Sequence, residues 1–179
     1  MGGEWTIDAD VACEKCGYNV RTLNVTARCP ECGFPVLRSF IGHEARGRTS
    51  LPDARRVVRT AQLVIARLLG RNVDSVDFVM RVHRYAAQTI AKNRLGLRTR
   101  PQDIPASDLC RAVVDYALEH YRNATDAVAT LQFWRLTTSD DLGQIVAALV
   151  EAGLILPGEH DTPADFVGVC RFEEMLRGE

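Results

Sequence analysis

Four cysteines near the N-terminus are the residues of this chain best suited to metal or redox chemistry. They form two Cys-x-x-Cys pairs separated by twelve residues, and each pair is followed by a glycine. Such a pair bends back so that both sulfurs meet one metal, and the glycine permits the tight turn. A redox Cys-x-x-Cys normally occurs once, at a strand-to-helix junction. The spacing therefore predicts one structural zinc site, with these ligands: Cys13, Cys16, Cys29 and Cys32.

The predicted site is closed, which bears on its chemistry. Four protein thiolates leave no open coordination position, so no water can be activated on the metal. The spacer at 17–28 alternates apolar and polar residues and predicts a short hairpin between the two pairs. Metal binding supplies the folding energy of a small zinc module. We therefore expect the rest of the chain to keep its own melting transition.

The cysteine motif resembles the short zinc ribbons found at the start of many planctomycete proteins. The shared pattern is Cys-x-x-Cys-Gly-Tyr at 13–18 and Cys-Pro-x-Cys-Gly at 29–33. The resemblance covers about residues 10–36. It implies a structural zinc module and says little about partners.

The remaining reactive side chains do not form a catalytic motif. Cys110 and Cys170 stand far apart in apolar stretches, which is typical of small core residues. The four histidines occur in unrelated contexts, and the chain has no HExxH, P-loop, GxGxxG or G-x-S-x-G motif. We therefore expect a protein that is not an enzyme.

Composition is ordinary for a soluble globular protein. The chain of 179 residues is 46% hydrophobic and 25% charged, with a net charge of -1. Nucleic-acid binding would therefore need a local basic patch. No apolar run approaches the roughly 18 residues of a membrane span, and the first residues do not form a signal peptide. We expect a cytoplasmic protein without membrane partners, where reduced thiols favour zinc over disulfides.

Charge is distributed unevenly along the chain. Residues 36–71 contain eight arginines and two acids, net +6, whereas residues 139–179 contain nine acids and two arginines, net -7. Three interpretations are open: attraction between the two segments within or between subunits, contact of the basic segment with RNA or DNA phosphates, and docking of the acidic face on a protein.

Hydrophobic periodicity predicts a mainly α fold. We expect a zinc ribbon at 1–36, a polar basic linker at 37–52 and a helical domain at 53–179. Apolar residues at helical spacing and glycine stops predict five helices, at about 50–69, 74–95, 107–121, 125–136 and 139–152. Short apolar runs at 154–156 and 166–170 predict a hairpin, which with the last two helices would form a winged-helix-like helix-turn-helix. The alternative is a plain helical bundle ending in a small β hairpin.

From residue 71 to about 176 the chain also resembles a family of conserved hypothetical proteins from planctomycetes and verrucomicrobia. The carrying stretches are VDFV at 76–79, DYAL at 115–118 and TSDDLGQIVAALVEAGL at 138–154, with further matches at 165–166 and 172–174. The chain departs from the pattern at Leu142, where the family has an aromatic residue, and at Arg135, where it has glycine. The resemblance implies a shared architecture and supplies no activity.

The predicted recognition helix argues against conventional DNA reading. It carries Asp140, Asp141 and Glu151 but no lysine or arginine, and it would repel phosphate. We therefore expect a non-catalytic zinc-ribbon interaction or adaptor protein with a protein partner. The alternative is nucleic-acid binding through the zinc ribbon and the basic segment at 38–71, with these candidate residues: Arg46, Arg48, Arg55, Arg56 and Arg59.

Overall fold

The computed structural model describes residues 5–46, 54–93, 104–156, 158 and 162–178. Helices dominate these residues, and pairing between their extended segments is limited to isolated bridges. None of the described helices is long and apolar enough to cross a bilayer. In chain order the helices are α1 (Val36–Arg46), α2 (Ala54–Leu69), α3 (Val73–Asn93), α4 (Ala106–His120), α5 (Ala124–Phe133), α6 (Ser139–Glu151), a 3-10 helix (Pro163–Phe166) and α7 (Phe172–Arg177).

The prediction of a mainly helical fold is confirmed, and α2 to α6 correspond to the five predicted helices. The helix expected to begin at Ser50 is described only from Ala54, because residues 47–53 lie outside the described part of the chain. The sequence favours Ser139 as the N-cap of the fifth helix, but this residue is the first of the helix and the cap lies one position earlier. Thr138 is its N-cap, and its hydroxyl accepts a hydrogen bond from the amide of Asp141 in a capping box.

Helix α1 occupies most of the segment that was predicted as a basic linker at 37–52. Its apolar residues recur on one face: Leu37 and Ile41 are buried and pack into the core. Their spacing of four residues carries a helical signal that the neighbouring arginines, glycines and serines obscure. Residues 47–52, the rest of the expected linker, lie outside the described part of the chain.

The predicted C-terminal hairpin does not form within the described residues. Residues 154–155 form a bend, and residue 156 has no regular structure. The amides of Leu154 and Ile155 donate to the carbonyl of Leu149 and close the end of α6. Phe166 belongs to the 3-10 helix and is fully buried against α6. Apolar runs this short do not distinguish a strand from a segment that closes a helix end. The wing expected of a winged helix is therefore not seen at 154–156 or 166–170.

The ribbon and the helices share one hydrophobic core. Ile7, Val11 and Val20 from the ribbon belong to the same cluster of buried residues as Ile65 of α2 and Leu149 of α6. This differs from the expectation of a helical core independent of the ribbon. Loss of the ribbon structure would therefore expose apolar surface on the helices.

Candidate metal centre

Each Cys-x-x-Cys forms the tip of a tight antiparallel turn with the same backbone geometry. In the first turn, the amide of Gly17 donates to the carbonyl of Cys13 at 2.9 Å, and the amide of Cys13 donates to the carbonyl of Tyr18 at 2.8 Å. In the second, Gly33 and Phe34 take the same places around Cys29, both at 2.8 Å. Gly17 and Gly33 have φ values of 78° and 71°, a region that favours glycine. The glycines therefore permit both turns.

The spacer at 17–28 does not pair with itself as the expected hairpin would, but with the chain before the first cysteine pair. Val20 donates to the carbonyl of Val11 at 2.8 Å, and Ile7 donates to that of Leu23 at 3.0 Å. The chain before the first cysteine pair therefore pairs with the spacer, around the first turn. A second pairing joins residues 27 and 36 around the second turn, through the Val36 amide and the Ala27 carbonyl.

The two turns bring all four predicted ligands together. Cys13 Sγ lies 3.6 Å from Cys32 Sγ, and Cys16 Sγ lies 3.6 Å from Cys29 Sγ. All four sulfurs lie within 4.8 Å of one another, and the four residues are free cysteines. The chain thus places Cys13, Cys16, Cys29 and Cys32 close enough to hold one metal ion.

Backbone amides around the sulfurs favour ionised cysteines, but the four sulfurs lie too close together for all of them to carry a negative charge without a cation. Burial opposes ionisation of Cys13, yet hydrogen bonds from the amides of Cys16 and Lys15 outweigh it and lower the pKa of this thiol to about 6. The amide of Tyr18 also favours the Cys16 thiolate, but burial and the neighbouring sulfurs raise the pKa of Cys16 to about 12. A divalent cation would remove this conflict, because it compensates the charge of every coordinated thiolate.

Several contacts fix the metal-binding turns on the helices. The amide of Glu14, between the first two cysteines, donates to the buried Ser39 hydroxyl of α1 at 3.1 Å. Arg28, just before the second pair, forms a 3.0 Å ion pair with Glu151 of α6. The centre is therefore attached to two different helices through residues beside its ligands.

Trp5 attaches the start of the ribbon to the helices in a similar way. Its ring lies edge-on to Phe40 of α1, with 5.3 Å between centroids. The guanidinium of Arg67 from α2 lies 4.4 Å from the Trp5 ring centroid, a cation–π geometry.

The five candidate nucleic-acid residues are only partly described. Arg55 and Arg59 are exposed on the first two turns of α2, and Arg59 donates to Gln62 at 3.5 Å. Arg46 and Arg56 lie at the end of α1 and the start of α2, but their side chains are outside the described part of the structure, as is all of Arg48. The structure thus places two of the candidates one helical turn apart on one face.

Part of the uneven charge is satisfied within the chain. Arg71, after α2, forms a 2.7 Å ion pair with Asp141 of α6, and only 8% of the Arg71 side chain is exposed. The same guanidinium donates to Gln144 at 3.1 Å and to the carbonyl of Arg135. The contacts of Arg71 with Asp141 and Gln144 fit the interpretation of attraction between the basic and acidic segments.

Cys110 and Cys170, which the sequence pattern suggests are separate core residues, form a second pair of cysteines. Interaction with the Cys170 thiol, together with burial, raises the pKa of the Cys110 thiol. The same interaction lowers the pKa of the Cys170 thiol. The amide of Cys170 donates to the buried hydroxyl of Ser139 at 3.1 Å. No sequence signal joins residues sixty positions apart, so only the packing of α4 against the chain before α7 shows the pair.

No family model, no curated protein and no solved structure matches this chain. The resemblances to planctomycete and verrucomicrobial proteins therefore stay predictions.

Proposed function

We propose that the four cysteines hold one structural zinc ion and that the protein is a non-catalytic zinc-ribbon interaction or adaptor protein. The observation that carries the proposal is the closed set of four sulfurs. Tetrahedral zinc with Zn–S bonds near 2.3 Å requires sulfur separations of about 3.8 Å, and two of the separations here are 3.6 Å. With four thiolates the metal has no position left for a substrate or water.

Zinc is favoured over other metals by the ligand set. Four thiolates in a tetrahedral arrangement suit zinc or iron. A single site of four cysteines with no fifth ligand is the common form of structural zinc. Elemental analysis of freshly purified protein tests this assignment. We expect one zinc per chain, whereas one iron per chain, or no metal at all, would contradict it.

The interaction part of the proposal is supported by exposed apolar side chains on the helical part. Phe133 is 73% exposed at the end of α5, and Val167 is 68% exposed after the 3-10 helix. Exposed aromatic residues are enriched at protein interfaces. The acidic residues of the C-terminal segment support a protein-docking surface less well, because Asp141 and Glu151 already form ion pairs within the chain.

Affinity capture from the native cell tests the interaction, with matched variants. The F133S/V167S variant should lose a protein that the wild type enriches. The control Leu63→Ser changes a side chain that is 51% exposed on α2 and should retain that protein. Capture that is abolished by nuclease treatment would contradict a direct protein interaction, as would equal capture by all three proteins.

The alternative function is nucleic-acid binding through the basic segment. Its support is the placement of Arg55 and Arg59 on one exposed face of α2, a few residues after α1. Fluorescence anisotropy with a generic RNA or DNA at low salt tests it. If this function holds, R55E/R59E should weaken binding and lower the salt slope by about 2. The control R111E/R122E makes the same change in net charge on exposed residues elsewhere and should bind as wild type.

A further inference from the structure

An open cavity lies between α3, α4 and the chain that follows α5. Its volume is about 310 Å³, at the lower end of the range for small-molecule sites. Aromatic residues from all three parts line it, with two carboxylates: Phe78, Tyr116, Tyr121, Trp134, Asp74 and Asp77. None of these residues contributes to the metal centre.

The aromatic rings are arranged around the cavity at different angles. Phe78, only 4% exposed, lies at the centre of the cluster. The Tyr116 ring lies 5.6 Å from it at 72°, and the Trp134 ring lies 5.4 Å from it at 52°. Tyr116 is fixed in turn by stacking on His120, at 3.8 Å between centroids, and by an edge contact with Tyr85. The cavity walls are therefore preorganised by ring contacts on both sides.

The charges around the cavity favour a positive ligand. Asp74 is exposed in the first turn of α3, and Asp77 follows three residues later. Among the described residues that line the cavity, the one guanidinium is that of Arg81, which is held by Asp77 at 2.7 Å in an i,i+4 ion pair and is 61% exposed. Two carboxylates against one guanidinium leave a net negative charge when His120, which also lines the cavity, is neutral, and the faces of aromatic rings also attract cations.

We propose that this cavity binds an alkylated ammonium group, carried by a small molecule such as choline or by an N-methylated lysine side chain. The aromatic side chains that line the cavity can attract such a group through their rings, and the carboxylates add Coulomb attraction. A nucleotide would need a free cation for its phosphates, whereas Arg81 is already neutralised by Asp77. This site is independent of the proposed zinc-ribbon function.

Calorimetric titration of the zinc-loaded full chain with choline tests the proposal. Choline should bind, and its neutral isostere 3,3-dimethylbutan-1-ol should bind at least tenfold more weakly, because only the charge differs. Trp134→Leu should weaken choline binding roughly tenfold. The control Leu63→Ser changes an exposed side chain of α2 that does not line the cavity, and it should leave the affinity unchanged.

Asp74 and Arg81 are exposed, so substitutions at these two residues test the proposal without disturbing the hydrophobic core. Asp74→Asn should weaken choline binding severalfold. Arg81→Gln should strengthen it, because Oδ2 of Asp77 then becomes available to the ligand while Oδ1 still accepts from Gln62. A short peptide that contains trimethyllysine is titrated in parallel. A higher affinity for this peptide than for choline would indicate a methylated lysine as the source of the ammonium group, and a lower affinity would indicate a small molecule. Equal binding of the neutral isostere, no binding of either cation, or binding of AMP that is lost in Arg81→Gln would overturn the proposal.

Discussion

The ion pair between Arg71 and Asp141 joins the basic and acidic segments, and its removal should be costly. The Asp141 carboxylate accepts from Arg71 at 2.7 Å and from the amides of Thr137 and Thr138 at 2.9 and 3.0 Å. Asp141→Asn removes the charge and one acceptor oxygen while keeping the shape. The carboxylate therefore acts both as the ion-pair partner of Arg71 and as the N3 acceptor in the capping box of α6.

The expected magnitude follows from the burial of the two side chains. Breaking a fully buried ion pair costs about 3–5 kcal/mol. The Arg71 side chain is 8% exposed and that of Asp141 is 21% exposed, so solvent screens the pair in part. We expect Asp141→Asn to lower the free energy of unfolding by about 2–3 kcal/mol, discounting the buried-pair figure for this screening. This corresponds to a fall in Tm of about 5–10 °C for a chain of this size.

The effect should also depend on pH in a defined direction. Burial opposes ionisation of Asp141, but Arg71 and the amides of Thr137 and Thr138 outweigh it and lower its pKa. A carboxyl with a lowered folded pKa contributes stability that is fully present above its ordinary pKa of 3.8 and is lost as the pH falls through the folded value. The difference between wild type and Asp141→Asn should therefore be constant from about pH 5 to 7 and shrink below about pH 4.

Chemical denaturation monitored by circular dichroism measures both effects, with Asp140→Asn as the control. Asp140 shares the first turn of α6 but accepts only a 3.2 Å hydrogen bond from the amide of Gly168 among the described contacts. Its loss should cost about 1 kcal/mol or less. Acid also protonates the metal ligands, but that loss is common to all three proteins and cancels in the difference. Equal costs for the two variants, or a difference that grows in acid, would contradict a stabilising ion pair between Arg71 and Asp141.

Three further substitutions test the packing around α6. Gly143→Ala should lower the free energy of unfolding by about 1–3 kcal/mol, because a Cβ there would lie 2.7 Å from the Cβ of buried Phe166; an unchanged Tm would contradict this contact. Arg135→Gly should raise the free energy of unfolding by about 0.5–1 kcal/mol, because Arg135 has a φ of 55°, a strained value that glycine adopts freely. The hydrogen bond from Arg71 goes to the Arg135 carbonyl, which the variant keeps. A lower Tm would show that the Arg135 side chain contributes more than the strain costs. Ser139→Ala should cost about 1–3 kcal/mol, because the buried hydroxyl accepts from two backbone amides, and a cost near zero would refute that role.

Local patterns in the sequence were sufficient for the metal centre and for most helices. The spacing of Cys13, Cys16, Cys29 and Cys32 specifies the cluster because each pair closes over only four residues. Helices α2 to α6 follow from apolar periodicity over ten or more residues. Helix α1 was not predicted because its apolar signal is short. The hairpin predicted at 154–156 and 166–170 was wrong for a similar reason, since short apolar runs do not show which distant residues they pack against.

Contacts between distant segments could not be predicted in the same way. The cavity around Phe78 and Trp134 exists because α3 packs beside the end of α5, fifty-six residues later. The Cys110–Cys170 contact and the Arg71–Asp141 pair likewise depend on helix packing, which no local pattern encodes. The hydrophobic core shared by the ribbon and the helices also depends on contacts between distant segments. Because of this shared core, we expect the chain to unfold in a single melting transition instead of two separate ones.

X-ray absorption spectroscopy at the zinc edge reports the type, number and distance of the ligands around the metal, and so it can identify a site of four thiolates. We expect a single shell of four sulfurs at about 2.3 Å, with no nitrogen or oxygen ligand. Replacing Cys16 by Ser should remove one sulfur or abolish zinc binding altogether. A wild-type spectrum with a nitrogen or oxygen atom in the first shell, or with fewer than four sulfurs, would contradict a closed site built from Cys13, Cys16, Cys29 and Cys32.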